Sequence, residues 1–323
     1  MNTTHRIAVF LYAFFFSAIL YAQHSTLPYG DMDTWRVRQI KESAIIGGET
    51  KYIYELAKGD TLKGNVPFTH ELSKSIWGTS STMAVVSGIT KSSTTVFPEK
   101  RGSGYAARME TKIEKVKALG IINISVLATG SVYLGHTLEP VRDTKNPMAK
   151  INMGIPYTDC PESLVFDYKF IQGSNNGQRV KVSGMGSPQE VPGQNCAEVC
   201  LILQRRWEDS QGNVYAERVG TAWLRISKST SGWVNAHAET IHYGDITATS
   251  YYKPYMALSK GGADDRHCLN TKGESVPIKE LGWAPPGTRP THIMLNFSSG
   301  FGGAYVGSPG AALSIDNVCL RMK

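Results

Sequence analysis

The chain has 323 residues, 34 of them Lys or Arg and 27 Asp or Glu, for a formal charge of +7. The excess is scattered: Arg205-Arg206 is followed at once by Glu208-Asp209, and no basic stripe with interleaved aromatics is present. Such a balance argues against nucleic acid as a partner and for a solvated, mixed-charge surface.

In chain order, the first element is a leader. Arg6 precedes an apolar run from Ile7 to Ala22, broken only by Ser17 and tyrosines. A positive start, about 15 apolar residues and a small residue before a polar segment predict a secretory signal peptide, cleaved after Ala22. The run falls short of the roughly 20 apolar residues of a membrane span. Residues 1–22 are therefore read as leader and 23–323 as one domain, exported to the periplasm, outer surface or extracellular space. About 300 residues is large for one sandwich, yet within range for an all-β domain with long loops.

Beyond the leader, strand signals dominate. The stretch from Met109 to Leu119 is the best helical candidate, with Ile113 and Val116 among charges, but it continues a strand-like start. Gly120 to Ala128 is a more continuous apolar run, suited to a strand buried on both sides. In the segment from Leu164 to Phe170 the residues Leu164, Phe166, Tyr168 and Phe170 alternate with Asp167 and Lys169, as in a sheet with one buried and one wet face. Val199 to Trp207 and Ala222 to Ile226 repeat the pattern around a Gln211-Gly212-Asn213 turn, predicting a long hairpin. The strand from Leu313 to Leu320 slips by one residue at Asp316-Asn317, which is how a bulge looks in sequence. Residues 59–74 and 260–290 read as loops, the second long enough to suggest a lid or binding loop. Many short strands between Gly, Pro, Ser and Asn clusters predict an antiparallel β-sandwich of jelly-roll type.

Five cysteines are an odd number, so export permits bridges but leaves at least one thiol over. Cys200 and Cys319 stand in apolar strands as small core residues. Cys160, Cys196 and Cys268 lie in loop-like stretches, which admits one bridge among them in any pairing.

Catalytic signatures are missing: there is no nucleophile elbow, no HExxH, no P-loop and no dinucleotide fingerprint. Glycoside hydrolysis requires two carboxyl groups about 5 to 9 Å apart, for which Glu139, Asp167 and Glu239 are the candidates. Sugar binding needs a flat aromatic face beside hydrogen-bonding groups. Trp223 and Arg225 alternate away from Ala222, Leu224 and Ile226. Trp233, Asn235, His237 and Glu239 are expected to share one face of a nearby strand. These residues form the expected sugar platform, unless a loop covers the face and Trp223 is core. Asp31, Asp33 and Asp316 are a candidate set for a structural calcium, the one cofactor the sequence suggests, since acidic oxygens at the first and last strands suit that ion. Hydrogen bonding within a bulge is the alternative role for Asp316.

Several motifs in order add a resemblance: Asp31-Met-Asp-Thr-Trp35, Trp77-Gly-Thr-Ser80, Gly104-Tyr-Ala-Ala-Arg108, Tyr133-Leu-Gly135, Gly154-Ile-Pro-Tyr157, Leu164-Val-Phe-Asp-Tyr-Lys169 and Leu313-Ser-Ile-Asp-Asn-Val318. From about Asp31 to Leu320 the chain resembles the "putative carbohydrate-metabolism domain" family, secreted jelly-roll proteins of Bacteroidetes-type bacteria that are similar to carbohydrate-binding modules. The resemblance implies a carbohydrate partner and a secreted or surface-attached protein, and it supplies no catalytic residues. The expected function is a glycan-binding protein in polysaccharide capture, with polysaccharide or oligosaccharide as ligand and cell-surface proteins as further partners. A glycoside hydrolase using a carboxylate pair and a structural or adhesin protein are the alternatives.

Overall fold

A computed structural model describes residues 24–118, 122–184 and 186–322; the expected leader lies outside them. Two sheets face each other. The smaller orders the strands Val234–Thr240, Ser163–Ile171, Ala312–Arg321, Gly104–Glu110 and Val96–Arg101, with His24–Thr26 paired to the end of Ala312–Arg321. The larger runs Ile151–Met153, Ser131–Thr137, His292–Ser298, Ala197–Glu208, Val214–Ile226, Ser275–Trp283 and His267–Leu269, joined by Trp77–Thr79, Ile155–Pro156 and His242–Tyr243. Pairing is antiparallel except between Val214–Ile226 and Ser275–Trp283. The chain is an all-β sandwich of jelly-roll type.

Alternation explains the core. Leu164, Phe166 and Phe170 from one sheet meet Val199, Leu201, Leu203, Ile293, Leu295 and Phe297 from the other, all buried. The rings of Phe166 and Phe297 touch edge-on at 5.3 Å between centroids. Each such side chain contributes about 1.5–3 kcal/mol by leaving water. The hairpin read around Gln211-Gly212-Asn213 forms, with strands Ala197–Glu208 and Val214–Ile226 paired from Ala197↔Ile226 to Glu208↔Val214 and a register shift between Leu203 and Gln204. The slip in the last strand is also present. Asn317 adopts φ +50°, and the pairing with Ser163–Ile171 shifts register between Val165 and Asp167.

Three segments differ from expectation. From Met109 to Ala118 the candidate helix is absent: Met109 lies in the strand Gly104–Glu110, and Lys112–Ala118 pairs antiparallel with Ile122–Ala128, while Leu119 is outside the described residues. That second strand is not buried on both sides, because Ser125 and Val126 remain half-buried while Leu127 turns inward. Residues 260–290 are no open loop; they supply the strands His267–Leu269 and Ser275–Trp283. Those strands close a second apolar cluster on the outer face of the larger sheet, where Cys200, Ile202, Trp223 and Met294 meet Ile246, Met256, Cys268 and Ile278. No bridge joins Cys160, Cys196 and Cys268; each carries a free thiol. Cys268 has been drawn into that second cluster instead of a loop.

Candidate functional site

The outer face of the smaller sheet carries the densest polar arrangement. Val96 lies in the core, so Phe97, Glu99 and Arg101 point outward along the edge strand. Ala107 and Met109 are core residues of the next strand, which leaves Gly104 and Ala106 on its outer face. Gly104 makes room for the Asp33 carboxylate, which a Cβ there would meet at 2.0 Å, and the Arg101 side chain crosses the sheet. Its Nη1 donates to Asp167 Oδ2 at 2.8 Å and to Asp316 Oδ2 at 2.6 Å. Its Nη2 donates to Asn235 Oδ1 at 2.7 Å. The guanidinium carbon stands 4.0 Å from the centroid of the Trp233 ring, within cation–π range.

The bulge at Asp316-Asn317 builds the carboxylate pair. It aims Asn317 Nδ2 at Asp167 Oδ2, at 2.8 Å, while the Asn317 N–H donates to Asp316 Oδ1 at 2.7 Å. Asp167 Oδ1 accepts a further bond from the Ala236 N–H at 2.6 Å. Burial pushes the Asp167 carboxyl up, but these donors and Arg101 outweigh it and hold the group below its ordinary range. For Asp316 burial prevails, and its carboxyl is raised despite Arg101 and Asn317. Beside this cluster Lys169 pairs with Glu99, whose other oxygen accepts from the Ser314 hydroxyl. Lys169 Nζ lies 5.4 Å from the Trp233 ring.

This arrangement unites residues that the sequence assigned to separate roles. Trp233 and Asn235 came from the sugar platform, Asp167 from the acid candidates and Asp316 from the metal set. Arg101 was missed. Alternation after Val96 signals that it faces water, but only the strand order reveals what it crosses.

Other candidates sit elsewhere. Trp223 is 6% exposed and belongs to the second core. Tyr255 packs edge-on against it at 5.6 Å, and the Arg266 guanidinium lies 4.8 Å from its ring. The chain after Tyr243 folds back over this face, so Trp223 is no open platform. Arg225 is held by Glu198 at 2.8 Å and stacked between Tyr255 and Phe301, at 3.8 and 4.1 Å. His237 and Glu239 do not share a face with Trp233 and Asn235. Ala236 adopts φ +50° and the register with Ser163–Ile171 shifts there, so alternation is broken. His237 packs edge-on against the core ring of Phe166 at 5.2 Å, and Glu239 accepts from the Tyr251 hydroxyl at 3.2 Å.

Glu139 is a structural carboxylate. Its side chain is wholly buried, bound by Arg38 at 2.6 and 2.9 Å and by the N–H groups of Phe68 and Met83, each at 2.9 Å. The cavity beside it, lined also by Glu55 and Trp77, is about 10 Å³, room for no more than a water. The calcium set does not assemble either. Asp33 Oδ1 accepts the Tyr105 N–H at 2.6 Å, Asp31 accepts the Asp33 N–H at 3.4 Å, and Asp316 is paired with Arg101. Among the described residues no three His, Cys, Asp or Glu side chains form a metal-binding group. Asp316 thus fills the alternative role of hydrogen bonding within the bulge.

No family model matches the chain, and no curated protein matches it. Among the solved structures to which it is similar are two from Bacteroides species. One is a "putative glycoside hydrolase" from Bacteroides thetaiotaomicron, at 15% identity and TM-score 0.45, covering 89% of this chain and 71% of that one. The other is a "putative glycoside hydrolase" from Bacteroides vulgatus, at 13% identity and TM-score 0.41, covering 94% and 96%.

Proposed function

We propose that this is an exported glycan-binding protein that captures polysaccharide or oligosaccharide on the outer face of its smaller sheet. The observation that carries the reading is the grouping of Trp233, Arg101, Lys169 and the exposed amide of Asn235 on one solvent-facing surface. A sugar ring presents C–H faces to an aromatic and hydroxyl edges to amides and charged groups. An indole flanked by two cations and an amide meets both needs. Native electrophoresis through gels containing soluble polysaccharides tests this. Retardation by one polymer is expected, and Trp233→Ala should abolish most of it while circular dichroism stays unchanged. Full retardation of a folded Trp233→Ala variant would remove this face from the reading.

One observation favours hydrolysis as a second reading. Asp167 and Asp316 are paired across neighbouring strands and share one nitrogen, at 2.8 and 2.6 Å, a close pairing of carboxyl groups of the kind glycoside hydrolysis requires. Their proton affinities are also displaced in opposite directions, the pattern that separates an acid from a base. Against it, the two residues are only 6% and 7% exposed and their oxygens are occupied by protein donors. Binding is therefore the better reading. A cleared zone along the electrophoretic track, lost in Asp316→Asn, would reverse that order.

A further inference from the structure

A cleft of about 380 Å³ of water-accessible space opens on the outer face of the larger sheet, at the end of the long hairpin. Asn152, Gly154, Arg206, Cys268, Asn270 and His292 are among its walls. Its volume lies within the roughly 300–1,000 Å³ of small-ligand sites. None of the residues discussed for the glycan face belongs to it.

Arg206 is what sets this cleft apart. Arg36 and Arg38 are matched by Glu55, Arg38 also by Glu139, and Arg218 by Glu280; Arg179, elsewhere in the chain, is buried against the Pro192 and Phe301 carbonyls with no carboxylate partner among the described residues. Arg206 too has no carboxylate partner among the described residues. Its Nε donates to Gln204 Oε1 at 2.6 Å and its Nη1 to the Met153 carbonyl at 3.0 Å, both neutral acceptors. Its Nη2 is buried with no hydrogen-bond partner at all. Arg206 as a whole is half-buried, and a desolvated N–H group left without an acceptor is costly for a fold to keep.

The surroundings preserve that charge instead of cancelling it. Gln204 cannot turn away, because its Nε2 donates to Glu280 Oε1 at 2.7 Å. Glu280 is itself consumed by Arg218 and by the Ser259 N–H at 2.8 Å. Glu208, at the cleft wall, is bound by the N–H and hydroxyl of Thr271 at 2.8 and 2.6 Å. Gly154 is required beside the guanidinium: a Cβ there would come within 2.6 Å of Arg206 Nη2, and the residue has φ +90°. Burial lowers the Arg206 pKa to about 10, and burial together with Arg206 lowers that of His292 to about 4. At neutral pH the cleft wall thus carries the Arg206 cation, outside any ion pair and with one N–H group unbonded, together with the Glu208 carboxylate held by Thr271.

We infer that this cleft binds a ring-sized anion, a sugar acid carrying a carboxylate or a sugar carrying a sulfate ester, with Arg206 as its cation. The anionic character follows from the unmatched guanidinium; that the ring is a sugar rests on the glycan reading above. A charge-assisted pair with a planar guanidinium is among the stronger single contacts available to such a ligand.

Calorimetric titration of the intact secreted chain with four probes tests this: galacturonic acid, its methyl ester, galactose and galactose 6-sulfate. Galacturonic acid or the sulfate should bind, and the ester and galactose should bind at least tenfold more weakly. Whichever anion binds names the source. Arg206→Gln should lose at least tenfold in affinity for it, while Arg206→Lys keeps part of it. Binding of galactose or the ester by the wild-type chain as tightly as either anion overturns the inference without needing any variant, as does binding of none of the four. Polysaccharide retention that depends on Trp233 is read separately, so either site can fail while the other stands.

Discussion

Asp167 and Asp316 face each other across neighbouring strands and bind the same nitrogen of Arg101, at 2.8 and 2.6 Å. Two carboxylates so close on adjacent strands would repel one another without the guanidinium between them. Arg101 thereby ties the edge strand to the two central strands and to the loop side of Val234–Thr240. The same contact holds the guanidinium over the Trp233 ring, 4.0 Å from its centroid. Structural clamp and proposed ligand face are here one set of atoms.

Arg101→Met should cost about 2–4 kcal/mol in chemical denaturation, since it strands two largely buried carboxylates. The deficit should shrink in acid, below about pH 4, where protonation relieves the repulsion. Adding Asp316→Asn should recover about half of it. A loss that persists unchanged in the double variant would mean that packing on Trp233, and not charge, is what Arg101 contributes.

Glu139→Gln should be similarly costly, about 3–5 kcal/mol, because Arg38 would be left with an incomplete partner in the interior. Glycan retention of whatever folded fraction remains should stay within about twofold of wild type, as expected for an interaction energy near zero between distant sites. Loss of retention at unchanged stability would return Glu139 to the list of site residues.

Trp223→Ala should behave as a core deletion, lowering stability by about 3–5 kcal/mol. Hydrogen exchange should show residues 244–260 loosened first, because Tyr251 and Tyr255 pack on that indole. An unchanged melting temperature would contradict the burial of this ring.

Ala236→Gly should leave stability unchanged or raise it by up to about 1 kcal/mol. The residue sits at φ +50°, where a Cβ is unfavourable and glycine is not. Ala236→Val should be clearly destabilising, since a β-branched side chain is worse there still. Destabilisation by glycine at thermal midpoint would show that the bulge is not strained.

The imidazole of His292 titrates near 4, lowered by burial and then by Arg206. Its ordinary value is about 6.5. Between those values the unfolded chain takes up a proton that the folded chain refuses, so stability attributable to this site is complete above about pH 6.5 and is lost as pH falls toward 4. His292→Asn should flatten the stability profile across that window. An NMR titration placing His292 near 6.5 would show that the imidazole is better solvated than its burial implies.

Much of the fold was legible along the chain because a strand with one wet face must alternate. Leu164, Phe166 and Phe170 inward, Asp167 and Lys169 outward, the long hairpin and the bulge at Asp316-Asn317 all follow from side-chain period alone. Periodicity ends where local order does. The turn of phase at Ala236 separates Trp233 and Asn235 from His237 and Glu239, and no residue type there announces it. Nor could any pattern show that Tyr251 and Tyr255 cover Trp223, or that Arg38 consumes Glu139 from 101 positions away. Local chemistry determined which residues face outward. Only the tertiary structure decided which of those faces stay open, because covering a face and neutralising a charge are acts of distant segments.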